Sequence, residues 1–457
     1  MKKYYTSLFA AFLLALTAKA QQNMSSLYNW SDEEIEGSSL YNNSYNEVWG
    51  MVVNEREFAV MGSTNGTHIF DVTDPANTEE IFFVAGKDSG GHIIHRDYHD
   101  YKDYLYAVCD EGDSSLQIID ISDLPNSIDV VYDSDELIIQ SHNIFIDEKN
   151  DRMYSCGSKL IVDDTFTFNH LDVFSLANPT APEIINSYNT IPGTHDVYVL
   201  ENMVYMNAGP NGLHVIDFND INNPVIVGSL EDYPDKGYNH SGWLSEDGQT
   251  YIFADEDWGH DLKVCDVSDL SDIEVVTTFS SEVNENSMPH NQIIKGDLLF
   301  ISYYHDGLQV YNIADPTNPQ KVAYYNTYLE DDHESYRGAW GVYPFLPSGN
   351  ILVSDMQYGL YVLSLNEDGL SQDEISEDLL SIHPNPFNEI LTLNLVESAK
   401  SYNFSLTDLQ GKEVFQTQLN GTKQTIQLPT SLSMGVYVAR VSNEDYTYTQ
   451  KLVKTNR

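Results

Sequence analysis

Histidine recurs in this 457-residue chain at regular distances and in regular company. His99-Asp100, His142-Asn143, His195-Asp196, His240-Ser241 and His290-Asn291 each open a strand-like run. Trp49-Gly50 and Trp340-Gly341 stand at the same place in two further runs. Imidazoles brought to one point can hold a transition metal, because imidazole suits zinc, copper, iron and nickel. The plainer role for a residue repeated once per unit is packing, with each ring bonded to a neighbouring unit's backbone. Carboxylates offer a second chemistry. Asp255-Glu256-Asp257, and Asp110-Glu111 with Asp113, supply the hard oxygens that calcium takes, although neither has the spacing of a defined calcium loop. The sequence holds no Gly-x-Ser-x-Gly elbow, no His-Glu-x-x-His, no phosphate loop and no dinucleotide fingerprint.

These anchors lie 43 to 53 residues apart, a period that accommodates four short strands and their turns. Downstream of each anchor comes an alternating run such as Gly66-Thr67-His68-Ile69-Phe70-Asp71, Gly212-Leu213-His214-Val215-Ile216-Asp217 or Gly307-Leu308-Gln309-Val310-Tyr311-Asn312. Period-two alternation of β-branched and aromatic residues predicts a half-buried strand. Asp74-Pro75, Asn178-Pro179, Asn223-Pro224 and Asp315-Pro316 then supply turns. The class is all-β: a seven-bladed β-propeller over 21–365, followed by a small immunoglobulin-like β-sandwich. If each anchor opens the innermost strand, His99, His142, His195, His240 and His290 ring one end of the axial channel, with Trp49 and Trp340 as an apolar wall. Of the other histidines, His92, His95, His260, His305 and His333 fall in loops. The last repeat ends near Leu365 without an outer strand. Met24 to Trp30 are placed to supply it and so to close the ring.

The ends of the chain read differently. Lys2 and Lys3, the apolar run Leu8 to Leu16, and Ala18-Lys19-Ala20 form a secretory signal peptide over 1–20. No other stretch is apolar for long enough to be a transmembrane helix. Residues 381–457 hold seven basic residues against six acidic ones, whereas 21–380 hold twelve against 64. The break marks a boundary at an acidic linker, 366–380, and the acidic part repels nucleic acid. Cys109, Cys156 and Cys265 each sit in an apolar run, which predicts buried thiols and leaves a Cys109–Cys156 bridge open.

The repeats resemble the LVIVD repeat, and 24–365 as a whole resembles the choice-of-anchor B family. The residues that carry this likeness include Tyr45-Asn46-Glu47-Val48-Trp49-Gly50, His240-Ser241-Gly242-Trp243-Leu244 and Gly338-Ala339-Trp340-Gly341-Val342-Tyr343-Pro344. Residues 381–457, with Pro384-Asn385-Pro386-Phe387, Asp408-Leu409-Gln410-Gly411-Lys412 and Gly435-Val436-Tyr437-Val438, resemble the C-terminal sorting domain of the Bacteroidota type IX secretion system. The resemblance implies handling by that machinery, secretion across the outer membrane, and a cell-surface or extracellular product, often linked to surface lipopolysaccharide. It implies no activity. The expected function is a non-enzymatic module that binds a protein or glycan. The alternative is a metal-dependent hydrolase or lyase built on the channel histidines, with a transition metal, or Ca2+ at Asp255, Glu256 and Asp257, as the possible cofactor.

Overall fold

The computed structural model describes residues 21–162, 165–330, 333, 335–366 and, towards the C-terminus, 381–385, 387–394, 401–408, 412–420, 423–429, 432–442 and 447–455. The expected signal peptide, 1–20, and, beyond Asn366, the expected acidic linker lie outside the described residues. The chain divides into two compact units, Met1–Leu365 and Asn366–Arg457.

In the first unit the strands form seven antiparallel sheets among the described residues. One shows the plan. Asp196–Leu200, Met203–Asn207, Leu213–Asp217 and Val225–Leu230 pair in simple succession. The repeated motif ends in Asp or Asn for a local reason: its carboxylate or amide oxygen accepts the N–H two residues on. Asp71 accepts from Thr73, Asp120 from Ser122, Asp217 from Asn219, Asp266 from Ser268 and Asn312 from Ala314, at 2.7–3.1 Å. These Asx turns steer the chain out of the third strand. Each third strand then pairs with its outer neighbour across a register shift, as at Val215/Ile216, Val264/Cys265 and Val310/Tyr311. A bulge there adds twist to the outer edge.

The third strands are buried on both faces, and not half-buried as alternation predicts. The reason is that each sheet is covered by a neighbour on either side. Val215 packs in a cluster with Tyr251 and Phe253 of the next sheet, while the adjacent Ile216 packs with Tyr154 and Val173 of the preceding one. The series closes: Leu352, Leu360 and Val362 of the last sheet share a cluster with Tyr45, Val48 and Phe70 of the first.

Closure relies on the N-terminal strand. Met24–Trp30 pairs antiparallel with Gly359–Leu365, in the register Met24 opposite Leu365 through Trp30 opposite Leu360. It supplies the outer strand that the last repeat lacks. Trp30 lies 4.8 Å from Phe70 and 5.5 Å from Tyr45, ring to ring. All three cysteines are free and buried.

The second unit forms two sheets. Ser381–His383, Ile390–Asn394 and Lys423–Gln427 make one, and Glu413–Asn420, Ser401–Asp408, Gly435–Ser442 and Thr447–Lys454 the other. Leu391, Leu393, Phe404, Leu406, Tyr437 and Leu452 fill one core between them.

Met24 is 1 % exposed, so Met24→Ala should cost about 2–4 kcal/mol in urea denaturation. A loss under about 0.5 kcal/mol, the level of an ordinary surface change, would show that the N-terminal strand is not a closing element.

Candidate metal centre

The innermost strands run Tyr45–Val53, Arg96–Tyr101, Asn143–Asp147, Asp196–Leu200, Asn239–Leu244, Asn291–Lys295 and Ala339–Tyr343. At their beginnings stand His95, His142, His195, His240, His290 and Trp340. These six rings form a closed circuit. Successive centroids are 4.5, 4.1, 4.0, 4.5 and 4.4 Å apart from His95 round to Trp340, and Trp340 returns to His95 at 5.5 Å. They line a chamber of about 220 Å3 together with Asp110, Glu111, Glu256 and the phenols of Tyr41, Tyr304 and Tyr336.

Within it the ligating atoms fall into two sets. Those of His95, His142 and Asp110 lie within 4.8 Å of one another, and so do those of His195, His240 and Glu256. Both are two-imidazole, one-carboxylate sets. Glu47, His95 and Asp97 form a third group one level deeper, sharing His95 with the first.

Hydrogen bonds fix several ring tautomers. His195 Nδ1 donates to the His240 carbonyl at 3.1 Å, and His290 Nδ1 donates to the Trp340 carbonyl at 2.5 Å. A carbonyl only accepts, so in the neutral rings the lone pair sits on Nε2. This is the usual way in which a backbone partner prepares a histidine as a ligand. His142 Nδ1 faces Asp110 Oδ2 at 2.8 Å, and His240 Nε2 faces Glu256 Oε2 at 3.4 Å. His95 Nδ1, His240 Nδ1 and Trp340 Nε1 are buried without a hydrogen-bond partner among the described residues.

Burial dominates the electrostatics. It drives His95, His195 and His240 well below the ordinary imidazole value, helped by the positive charge of His142. His290 falls to about 3, again chiefly by burial. His142 goes the other way: burial opposes its charge, but Asp110, Asp97 and Asp196 more than offset this and raise it to about 9. One imidazolium therefore stands among four neutral rings. The acids are pushed up by burial, Asp97 and Glu256 to about 7 and Asp196, next to Asp97, to about 8. Glu47 is raised well above its usual range by burial and by Asp97.

His142, His195, His240 and His290 thus meet as the sequence suggests. His99 does not join them. It lies four residues further along its strand, donates Nδ1–H to the Asp100 carbonyl at 2.8 Å and stacks on Trp49 at 4.5 Å. His95, read as a loop residue, takes its place. The pair His99-Asp100 imitates the anchor, whereas the actual second anchor is His95-x-Asp97, with one residue more between the two groups. Trp49 belongs to the His99 level too, so it does not share a wall with Trp340. The expected calcium-type loop does not form either. Asp255 is buried against Lys263 Nζ at 3.0 Å and the Tyr233 hydroxyl at 2.9 Å, Glu256 turns into the chamber, and Asp257 accepts the Tyr238 N–H at 2.8 Å. Three adjacent carboxylates serve three separate places. Sequence reading missed Asp110 and Glu256 as partners of the ring. Their equivalent position, one residue after the second strand of their own repeats, was the available signal.

Residues 193–232 match the LVIVD repeat, on a fold of the β-propeller type. Residues 381–455 match the secretion system C-terminal sorting domain. This marks the chain for secretion through the type IX system to the cell surface or the extracellular space. No curated protein sequence matches the chain. Similar solved structures include the WD40 repeats of RRP9, at 8% identity over 75% of this chain and 97% of that one, with a TM-score of 0.48. Another is the periplasmic gluconolactonase PpgL of Pseudomonas aeruginosa, at 10% identity over 84% and 99%, TM-score 0.49. A third is a putative 6-phosphogluconolactonase of Bacteroides fragilis, at 8% identity over 84% and 98%, TM-score 0.47. At such identities their activities do not transfer. No helix among the described residues is long and apolar enough to cross a membrane.

The buried acids predict an unusual pH dependence. Asp97 and Asp196 hold protons more tightly when folded, at about 7 and about 8 against 3.8. Their ionisation therefore removes stability as pH rises through that interval. His142, at about 9 against 6.5, contributes stability that is complete below 6.5 and is lost as pH rises through 9. Below about pH 6.5 the four histidines that burial keeps neutral oppose this loss, so in chelator the melting temperature should fall from about pH 7 to pH 9, and Asp196→Asn should flatten that slope. A flat or rising curve for the unmutated protein would contradict these protonation states.

Proposed function

We propose that this chain is an exported seven-bladed β-propeller of the choice-of-anchor B kind, and that it binds a first-row transition metal in its axial histidine chamber. In this reading residues 1–20 are a signal peptide, 21–365 the propeller, 366–380 a linker, and 381–457 the sorting domain that is recognised during export and links the product to surface lipopolysaccharide. The propeller then acts as a surface binding module whose ligand, a protein or glycan group, meets the metal. The observation that carries the reading is the convergence of five imidazoles, three buried and two partly so, and three carboxylates on one chamber, with the Nδ1 atoms of His195 and His290 held by carbonyls. Packing asks only for volume; lone pairs on Nε2 suit a ligand field.

A second reading, a metal-dependent hydrolase or lyase, is favoured by the size of the chamber. About 220 Å3 is many times the space of one water, at roughly 10–15 Å3 each. It has room for an ion, a bound water and a small substrate group, and metal binding would lower the pKa of that water.

Elemental analysis of the natively secreted protein after dialysis should find near-stoichiometric zinc, copper, iron or nickel. The His195→Ala/His240→Ala double variant should lose it. Asp110→Asn, which keeps His142 but removes its carboxylate partner, should weaken binding about 10- to 100-fold. Calcium alone, or no bound metal, would reduce the ring to packing.

A further inference from the structure

We infer that the far end of the same channel is a second binding site, for small organic ammonium cations bearing a quaternary or methylated nitrogen. It shares no lining residue with the histidine chamber.

Six of the seven innermost strands present a ring two residues after a common level: Asp97-x-His99, Asn143-x-Phe145, Asp196-x-Tyr198 and Ser241-x-Trp243, with Glu47-x-Trp49 and Gly341-x-Tyr343 in the first and last, while Asn291-x-Ile293 has none. The rings make a second closed circuit. Trp49 meets His99 at 4.5 Å, His99 meets Phe145 at 5.6 Å, and Phe145 meets Trp243 at 6.3 Å, with Tyr198 packed on both. Trp243 meets Phe345 at 5.9 Å, Phe345 meets Tyr343 at 5.6 Å, and Tyr343 returns to Trp49 at 5.0 Å. Apart from His99 these rings are only partly buried, and Phe345 is 36 % exposed. The circuit is a rim open to ligand.

Below the rim the floor is acidic. Glu47, Asp97 and Asp196 line the cup with Asn143, Asn291 and Gln292, and among the described residues no lysine or arginine lines it. Glu47 and Asp97 are 7 % and 5 % exposed. Gln292, 3 % exposed, keeps its Oε1 without a hydrogen-bond partner. An aromatic wall over carboxyl oxygens with no basic side chain beside them is the arrangement that attracts an ammonium group, through the ring quadrupole and through the oxygen lone pairs together. The net charge of −48 also raises the local concentration of cations.

Aromatic rings also stack sugars, but a floor with three carboxyl groups and, among the described residues, no lysine or arginine favours a cation over a neutral ring.

The test titrates the secreted protein with choline, with its neutral isostere 3,3-dimethylbutanol, and with glucose, by calorimetry and tryptophan fluorescence. Choline should saturate, with the neutral isostere weaker by about tenfold or more and glucose weaker still. Trp243→Leu and Phe145→Leu should each weaken choline binding at least about fivefold. Should either fail to fold, Glu47→Gln, which keeps shape but replaces a carboxyl oxygen by an amide NH2 that repels the cation, should do the same. Choline affinity should survive chelation of any metal. Equal binding of the isostere, preference for glucose, no saturable choline binding, or loss of choline binding on chelation would each overturn the assignment.

Discussion

Every sheet of the first unit has two apolar faces, and from this the rest of the structure follows. Val215 and Ile216 are neighbours on one strand, yet they belong to different cores shared with different sheets. Fully burying one such side chain contributes about 1.5–3 kcal/mol, and a sheet standing alone in water would forfeit this on at least one face. Stacking continues until the last sheet meets the first, where Leu360 and Val362 join Tyr45 and Phe70. Closure then brings the beginnings of all the innermost strands to one axis. The chamber and the aromatic cup are consequences of closure: whatever residue stands at a given level of the innermost strand must meet its equivalents.

Closure also determines the charge states. The exterior carries most of 70 acidic residues in contact with water and salt, where their mutual repulsion is screened over about 10 Å. On the axis the same residue types behave differently. Asp97, Asp196 and Glu47 are close to one another and away from water, so burial favours their neutral forms. The ring histidines become neutral for the same reason, except for His142, whose contact with Asp110 at 2.8 Å outweighs its burial. The axis is thus a column of neutral donors and acceptors holding one ion pair, within a strongly anionic shell.

The architecture was legible because it is periodic. The Gly-Leu-x-Val-x-Asp runs and their proline turns recur often enough to reveal the sheets, and the missing outer strand of the last repeat called for Met24 to Trp30. The register at the axis was legible only in part. A His-Asp dipeptide is weak information, and His99-Asp100 fits the pattern as well as the true anchor does. The warning was in the spacing: a 43-residue interval beside one of 53. Placing the second anchor at Asp97 lengthens the short interval to 46 and leaves the one of 53, and Glu47, Asp97, Asn143, Asp196, Ser241, Asn291 and Gly341 then share a level. Pairing of rings with carboxylates was invisible for another reason. Asp110 reaches His142 of the next sheet, and Glu256 reaches His240 across the hairpin of its own sheet, so neither contact joins residues close in sequence.

Choice of residue at the axis bears on function. Leucine or valine at these levels would fill the same volume and stabilise by burial. Imidazoles instead bring polar nitrogens into a dry space, and His95 Nδ1, His240 Nδ1 and Trp340 Nε1 lack partners there. Each unsatisfied buried donor or acceptor costs about 1–3 kcal/mol. Protonated acids beside them add a further cost to ionise. A fold that retains these groups at five of its repeats, when an apolar plug would be more stable, forgoes stability at the one place where its side chains converge. Metal coordination would offset that cost directly, since the ion takes up the nitrogen lone pairs and balances the carboxylates that burial otherwise keeps neutral. The two chemistries along the channel, imidazole at one level and aromatic rings over carboxyls at the other, are likewise more than packing requires. A propeller held together by its interfaces between sheets does not depend on its axis for stability, and so the axis is free to vary towards binding.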